Sequence, residues 1–165
     1  MKRIAQFEKV NFEQFYEASK ENFQIEKIEE MYKDIKLPQR ATSGSAGYDF
    51  YMPYFLEIEP LQTYKIPTGI RVKIEQGWFL SIYPRSSLGF KYRLQLNNTV
   101  GIIDSDYYNA TNEGHIFIKI YNSSNEKITL SKGMGFAHGI CMEYGITYDD
   151  DVSSLRTGGI GSTNK

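Results

Sequence analysis

The stretch Asn97–Tyr108, NNTVGIIDSDYY, decides how the rest of the chain is read. It reads as two short β segments folded around a polar turn, with Asp104, Asp106 and Tyr107 at or near that turn. A carboxylate and an aromatic ring offered from one tight hairpin can hold a flat base and a water side by side. Turn chemistry alone is the plain alternative, since Asp and Ser are favoured turn formers.

Working outward, the chain of 165 residues fits a single domain able to bury about two thirds of its surface. A net charge of −1 leaves no global basic field, which argues against stable nucleic-acid binding. A small anionic ligand must therefore be gathered locally. Cys141 is the only cysteine, so an intrachain disulfide is excluded; it falls in the apolar string GICMEY and reads as a buried packing residue. MKRIAQFEKV lacks the apolar run of a secretory signal, and no window has the roughly 20 apolar residues of a membrane span. The expected location is the cytoplasm. Thirteen Tyr and ten Phe favour strands and read as the rings of a β core.

Residues 1–35 read as a separate, helical N-terminal extension. Asn11 followed by Gln14 resembles a capping box with Asn in place of Ser or Thr. Phe12, Phe15, Tyr16 and Phe23 fall roughly on one helical face, and Ile25, Ile28, Met31, Tyr32 and Ile35 continue the rhythm. Beyond Pro38 the chain breaks into short β-like pieces: Tyr48–Tyr51, Gly69–Ile74, Trp78–Tyr83, His115–Tyr121, Lys127–Leu130 and Gly135–Tyr144. Such spacing argues for an all-β sandwich or barrel across residues 36–148. Residues 149–165, acidic and then rich in Gly, Ser and Thr, read as a flexible arm.

Three further segments accompany the first: SGSAGYDF from Ser43, YPRSSLGF from Tyr83 and RTGGIGSTNK from Arg156. In that order the four closely resemble the signature of the trimeric dUTP pyrophosphatases, the dUTPases. The resemblance spans roughly residues 36–165 and implies a distorted jelly roll, β-clip-like, assembled as a homotrimer with shared active sites. It implies hydrolysis of dUTP to dUMP and pyrophosphate with Mg2+, which limits uracil incorporation into DNA and supplies dUMP. The arm of one subunit would close over the site of a neighbour.

The implied roles fall on particular residues. Asp104 matches the family's catalytic aspartate; a solvent-reachable Asp is ionised at neutral pH and can orient a water and accept its proton. Asn98, Gly101, Ile102, Ile103, Tyr107 and Phe117 are the set for base and sugar. An Asn amide offers both a donor and an acceptor to the uracil edge. A narrow site leaves no space for the methyl of thymine, and the ring of Tyr107 would clash with a 2′-hydroxyl. Arg85, Ser86, Ser87, His138, Arg156, Gly159, Ser162 and Thr163 are the phosphate set. Arg85 offers a planar fork of donors, and Ser86 and Ser87 suit the start of a short helical turn. No residue is expected to bind the metal directly, since the triphosphate carries it, with Asp49 reaching it through water.

The chain also departs from the family pattern. GMGFAHG puts Met134, Gly135 and His138 where relatives carry Asp, Arg and Gln, so the Asp–Arg pair is missing. His138 can still donate to a phosphate oxygen, more strongly when protonated. Ile160 replaces a Phe that stacks over uracil, with a loss of about 0.5–1.5 kcal/mol and weaker ordering of the arm expected. Tyr108-Asn109 stands where Arg-Gly is common, and NATNEGH, Asn109–His115, is longer than the usual connection. Within it, Glu113 and His115 read as an exposed loop and strand start rather than a metal pair. Two alternatives remain at this level: a dCTP deaminase of the same fold, and a nucleotide-binding regulator that has lost turnover.

Overall fold

The computed structural model describes residues 1–154 and 156–159. The chain opens with a strand, β1 (Ala5–Lys9), followed by helices α1 (Phe12–Ser19) and α2 (Ile25–Lys33). Asn11 caps α1: its side-chain oxygen accepts from the Gln14 amide at 2.7 Å, a contact whose loss costs about 1 kcal/mol. The reciprocal half of the expected box is absent, because the Asn11 amide donates to Glu113 instead, at 2.9 Å. Phe15 and Ser19 are buried on α1, and Ile28 and Met31 on α2, the faces that the apolar spacing predicts. Both expected helices are present, and β1 adds a strand ahead of them. AQFEK has only two apolar residues, Ala5 and Phe7, too short an alternation to read as a strand, and it becomes one because β5 (Ile70–Ile74) offers an edge, from Ala5↔Ile74 to Lys9↔Ile70.

The main body is β2 (Tyr48–Tyr51), β3 (Leu56–Ile58), β4 (Thr63–Pro67), β5, β6 (Trp78–Pro84), helix α3 (Ser86–Tyr92), β7 (Leu94–Leu96), β8 (Gly101–Ile103), β9 (Phe117–Asn122), β10 (Ile128–Leu130) and β11 (Gly135–Glu143). Strand pairing is antiparallel and nested: β2 with β11, β3 with β10, β4 with β9. That is the order of a long hairpin rolled on itself, the jelly roll. β11 also pairs with β6, and β6 with β8, so one sheet runs β2-β11-β6-β8; a second runs β4-β9-β7. Phe50, Leu80, Ile82, Ile66, Ile118, Ile120 and Phe136 fill the space between them and are at most 2% exposed. Truncating a ring such as Phe50 or Phe136 to Ala would cost about 3–5 kcal/mol.

The opening stretch is not a hairpin. β7 and β8 belong to different sheets, so Asn97–Val100 is a crossover between them. Thr99 takes a left-handed φ of 65° there, and its amide bonds back to Leu96. Only Gly101–Ile103 is strand. The second expected β segment is a 3-10 turn, Ser105–Asn109, with Asp104 in extended conformation as its N-cap. Residues of the Asp and Ser type compete for caps and turns rather than ladders, which ends the strand at Ile103.

Cys141 is half-buried in β11, and burial raises its thiol pKa. Among the described residues, no helix is long and apolar enough to cross a membrane.

Candidate active site

β8 is the edge of its sheet, hydrogen-bonded to β6 on one side only. Its other side offers backbone donors and acceptors to a flat ligand. Gly101 sits close against the neighbouring strand: a Cβ there would fall 3.2 Å from Cβ of Ile82. Ile102 faces solvent, Ile103 packs against the core, and Asn98 is exposed on the turn before the strand.

Asp104 follows the strand directly, with its side chain 56% exposed. Arg156 Nη1 bonds Asp104 Oδ2 at 3.1 Å and Asp106 Oδ1 at 3.3 Å. The same guanidinium lies 5.0 Å from the ring centre of Tyr107. The Thr157 carbonyl accepts from Thr111 at 3.4 Å, and Gly159 packs against the Asn112 amide. Residues 156–159 thus dock on segment 104–112 of their own chain. Half-exposed ion pairs of this kind contribute about 0.2–1 kcal/mol each, so the contact can be exchanged for another anion.

Tyr107 is fixed more firmly. Its hydroxyl donates to the His115 carbonyl at 2.8 Å and accepts from Asn112 Nδ2 at 2.8 Å. Burial raises its pKa, and the Asn112 bond and the Arg156 charge oppose that shift.

A second cluster lies at the far end of the sheet. Arg85 caps α3, placing Ser86 and Ser87 in its first turn, where backbone amides have no intrahelical acceptor. Arg85 Nη2 is 3.5 Å from Asp49 Oδ2. Its guanidinium lies over Gly135, where a Cβ would fall 2.8 Å from Nη1. In register, His138 is opposite Asp49 on one side and Tyr83 on the other. A Cβ at Gly47 would fall 3.1 Å from the His138 ring. The space over Gly135 is therefore occupied: Arg85 fills it. The Asp49 carboxylate has Arg85 as its partner.

The two clusters are separate. Asp104, Tyr107, Arg156 and Gly159 form one; Asp49, Arg85, Ser86, Ser87 and His138 form the other; among the described residues no hydrogen bond or ion pair joins them. Phe117 belongs to neither: its ring lies 4.3 Å from that of His115, tilted by 40°, with Lys65 Nζ 5.1 Å from its ring centre. Ser162, Thr163 and Ile160 lie outside the described residues.

Asn112, which holds Tyr107, went unread in the sequence, and nothing in its local sequence marks it. Asp106, read there only as a turn residue, shares Arg156 with Asp104. His115 belongs to no exposed loop: it is fully buried, and its Nε2 accepts from the Gly69 amide at 2.9 Å. Burial, followed by the Lys65 charge, lowers its pKa to about 3. Glu113 is held by Asn11 and Arg71, so the two are structural rather than a metal pair.

Fold and strand order together define a β protein of the jelly-roll class. The family model for dUTPase matches residues 33–164. A deoxyuridine 5'-triphosphate nucleotidohydrolase of Lactococcus lactis is 39% identical over 132 residues, 78% of this chain and 88% of that one. Its counterpart in Dictyoglomus turgidum is 35% identical over 145 residues, 82% and 95% of the two chains. The crystal structure of dUTPase from Streptococcus mutans superposes with a TM-score of 0.65 at 31% identity, covering 86% of this chain and 97% of that one. The chain belongs to the dUTPase family.

Proposed function

We propose that the chain hydrolyses dUTP to dUMP and pyrophosphate, with Asp104 orienting the attacking water. The observation that carries this reading is the placement of Asp104 and Tyr107 on one short turn at the exit of an edge strand. Uracil would pair with the open backbone of Gly101–Ile103 and with Asn98, and the deoxyribose would lie against Tyr107. A cytosine amino group would face a donor there, at a cost of about 1–3 kcal/mol. Asp104 would hold the water in line with the α-phosphorus and take its proton.

The phosphates would meet Arg85, Ser86, Ser87 and His138, with Arg156, Gly159, Ser162 and Thr163 from the arm. Arg156 already binds two carboxylates, so phosphate oxygens are equivalent ligands for its fork. Charge neutralisation on the triphosphate is what Mg2+ would supply. The half-exposed oxygens of Asp104 and Asp106 fit contact with such an ion through water, and Asp49 is a third oxygen donor beside Arg85.

The separation of the Arg85 and Asp104 clusters within one chain supports a homotrimer in which each site takes Arg85 from one subunit and Asp104 from another. Mixing Asp104→Asn with Arg85→Ala protomers tests this: activity recovered only in the mixture is expected, and a mixture as inactive as its parents contradicts sharing. The substrate itself is tested by pyrophosphate release from dUTP, dCTP, dTTP and UTP. Release from dUTP alone is expected. Tight dUTP binding without release would indicate a regulator, and ammonia from dCTP a deaminase. We place the enzyme in the cytoplasm acting on free nucleotide, a reading that fits the net charge of −1 and the lack of a membrane-length helix among the described residues.

A further inference from the structure

The side of the Ser105–Asn109 turn turned away from Arg156 is gripped by the N-terminal segment. Tyr107 and Tyr108 are adjacent, and Tyr108 reaches the other way. Its hydroxyl donates to Glu8 Oε2 at 2.7 Å, its ring lies 3.7 Å from the Arg71 guanidinium carbon, and its carbonyl accepts from Arg71 Nη2 at 2.9 Å. Glu8 and Arg71 are opposite each other in the β1–β5 ladder, so strand pairing itself brings them to the turn. A second grip follows five residues later. The Asn11 backbone amide and side-chain amide both donate to the Glu113 carboxylate, and Arg71 Nη1 lies 4.0 Å from it. Glu113 is in the left-handed region at φ 58°, a strained conformation for a residue with a side chain. Gly114 follows at φ 70°, packed against the Tyr107 carbonyl and the Tyr108 Cα.

We propose that Glu8 and Asn11 are positioning residues for the reaction: the N-terminal segment holds residues 105–113 from behind and so fixes where Asp104 and Tyr107 stand. The inference rests on the proposed dUTP hydrolysis at Asp104. It gives one cause for two departures from the family pattern, Tyr108 in place of Arg and the long 109–115 connection. Both are the contacts that receive Glu8 and Asn11. Neither residue touches the substrate site. Each acts through the turn, where a displacement near 1 Å lowers turnover by up to about a hundredfold.

Asn11→Asp in the full chain separates positioning from stability. Asp is as good a helix cap as Asn, so α1 is retained. Its carboxylate meets that of Glu113, and the grip becomes repulsive. The variant is expected to lower kcat for dUTP roughly tenfold and to narrow the preference for dUTP over UTP, because Tyr107 shifts with the turn. Asn11→Asp with Glu113→Gln restores a donor–acceptor pair and is expected to return both values to within about twofold of wild type. Amide exchange at residues 105–110 should quicken in the single variant and recover in the double. An Asn11→Asp protein that keeps wild-type kcat and selectivity, whatever its melting temperature, overturns the inference. Should wild type release no pyrophosphate from dUTP, the activity reading fails on its own account. Exchange at 105–110 then decides the coupling: unchanged protection in Asn11→Asp refutes it, and loss with recovery in the double variant supports it.

Discussion

Replacing Gly114 with Ala tests whether the catalytic turn is held by close packing of the loop behind it. A Cβ at this position falls 2.7 Å from the Tyr107 carbonyl oxygen and 2.8 Å from the Tyr108 Cα, at φ 70°. Both neighbours are backbone, so no flexible side chain can yield. The left-handed conformation costs about 1–2 kcal/mol, and forcing a methyl into packed atoms adds about 1–3 kcal/mol. Gly77 is the matched control, with φ 87° and open space, and pays the conformational cost alone. Gly44 has neither penalty. Thermal unfolding at one fixed protomer concentration should rank them. At this chain length each kcal/mol moves Tm by roughly 2–4 °C, so Gly114→Ala should fall by about 4–20 °C and Gly77→Ala by about 2–8 °C. Gly44→Ala should stay close to wild type. A Gly114→Ala protein no less stable than Gly77→Ala would refute the packing argument, and with it the account of how Tyr107 is held.

Two further outcomes follow from buried groups. His115 is kept neutral in the fold, with a pKa of about 3 against 6.5 unfolded. Its contribution is therefore complete above pH 6.5 and is lost as pH falls from 6.5 toward 3, on the order of 5 kcal/mol at the limit. His115→Gln keeps an acceptor for Gly69, so its urea midpoint should decline less steeply than wild type between pH 6.5 and 4; parallel curves would contradict this. Restoring the family's usual residue with Gly135→Arg should displace Arg85 from Asp49, because even a Cβ there falls 2.8 Å from the guanidinium. A loss of about tenfold or more in kcat/KM for dUTP is expected from removing one preorganised phosphate donor, and wild-type kinetics would show that Arg85 has no need of that space.

What could be read from the sequence was whatever is encoded within a few residues. Asn11 announced the start of α1, the apolar spacing of Phe15, Ile28 and Met31 gave the buried faces, and Tyr48–Tyr51 was bounded to the residue. Sheet membership was not legible, because a strand's partner is chosen far away in the chain. NNTVGIIDSDYY carries turn chemistry at both ends of its apolar run, and only the competing edges of β9 and β6 make it a crossover instead of a hairpin. Ala5–Lys9 is a strand for the same reason. In the site, Asp104, Tyr107 and Arg85 were named through the resemblance of their motifs, because local chemistry alone reads the same strings as plain turns. The contacts of Glu8 with Tyr108 and of Asn11 with Glu113 span 100 and 102 positions, and no local pattern records them.

The central claim is that Asp104 activates water for attack on dUTP, and single-turnover pyrophosphate release with Mg2+ tests it most directly. Wild type and Asp104→Asn would be compared at saturating dUTP, with dUTP affinity measured in parallel. The account predicts retained binding and a fall in the rate of release of about a hundredfold or more, since a positioned base contributes on that scale. Release from Asp104→Asn at the wild-type rate would contradict it.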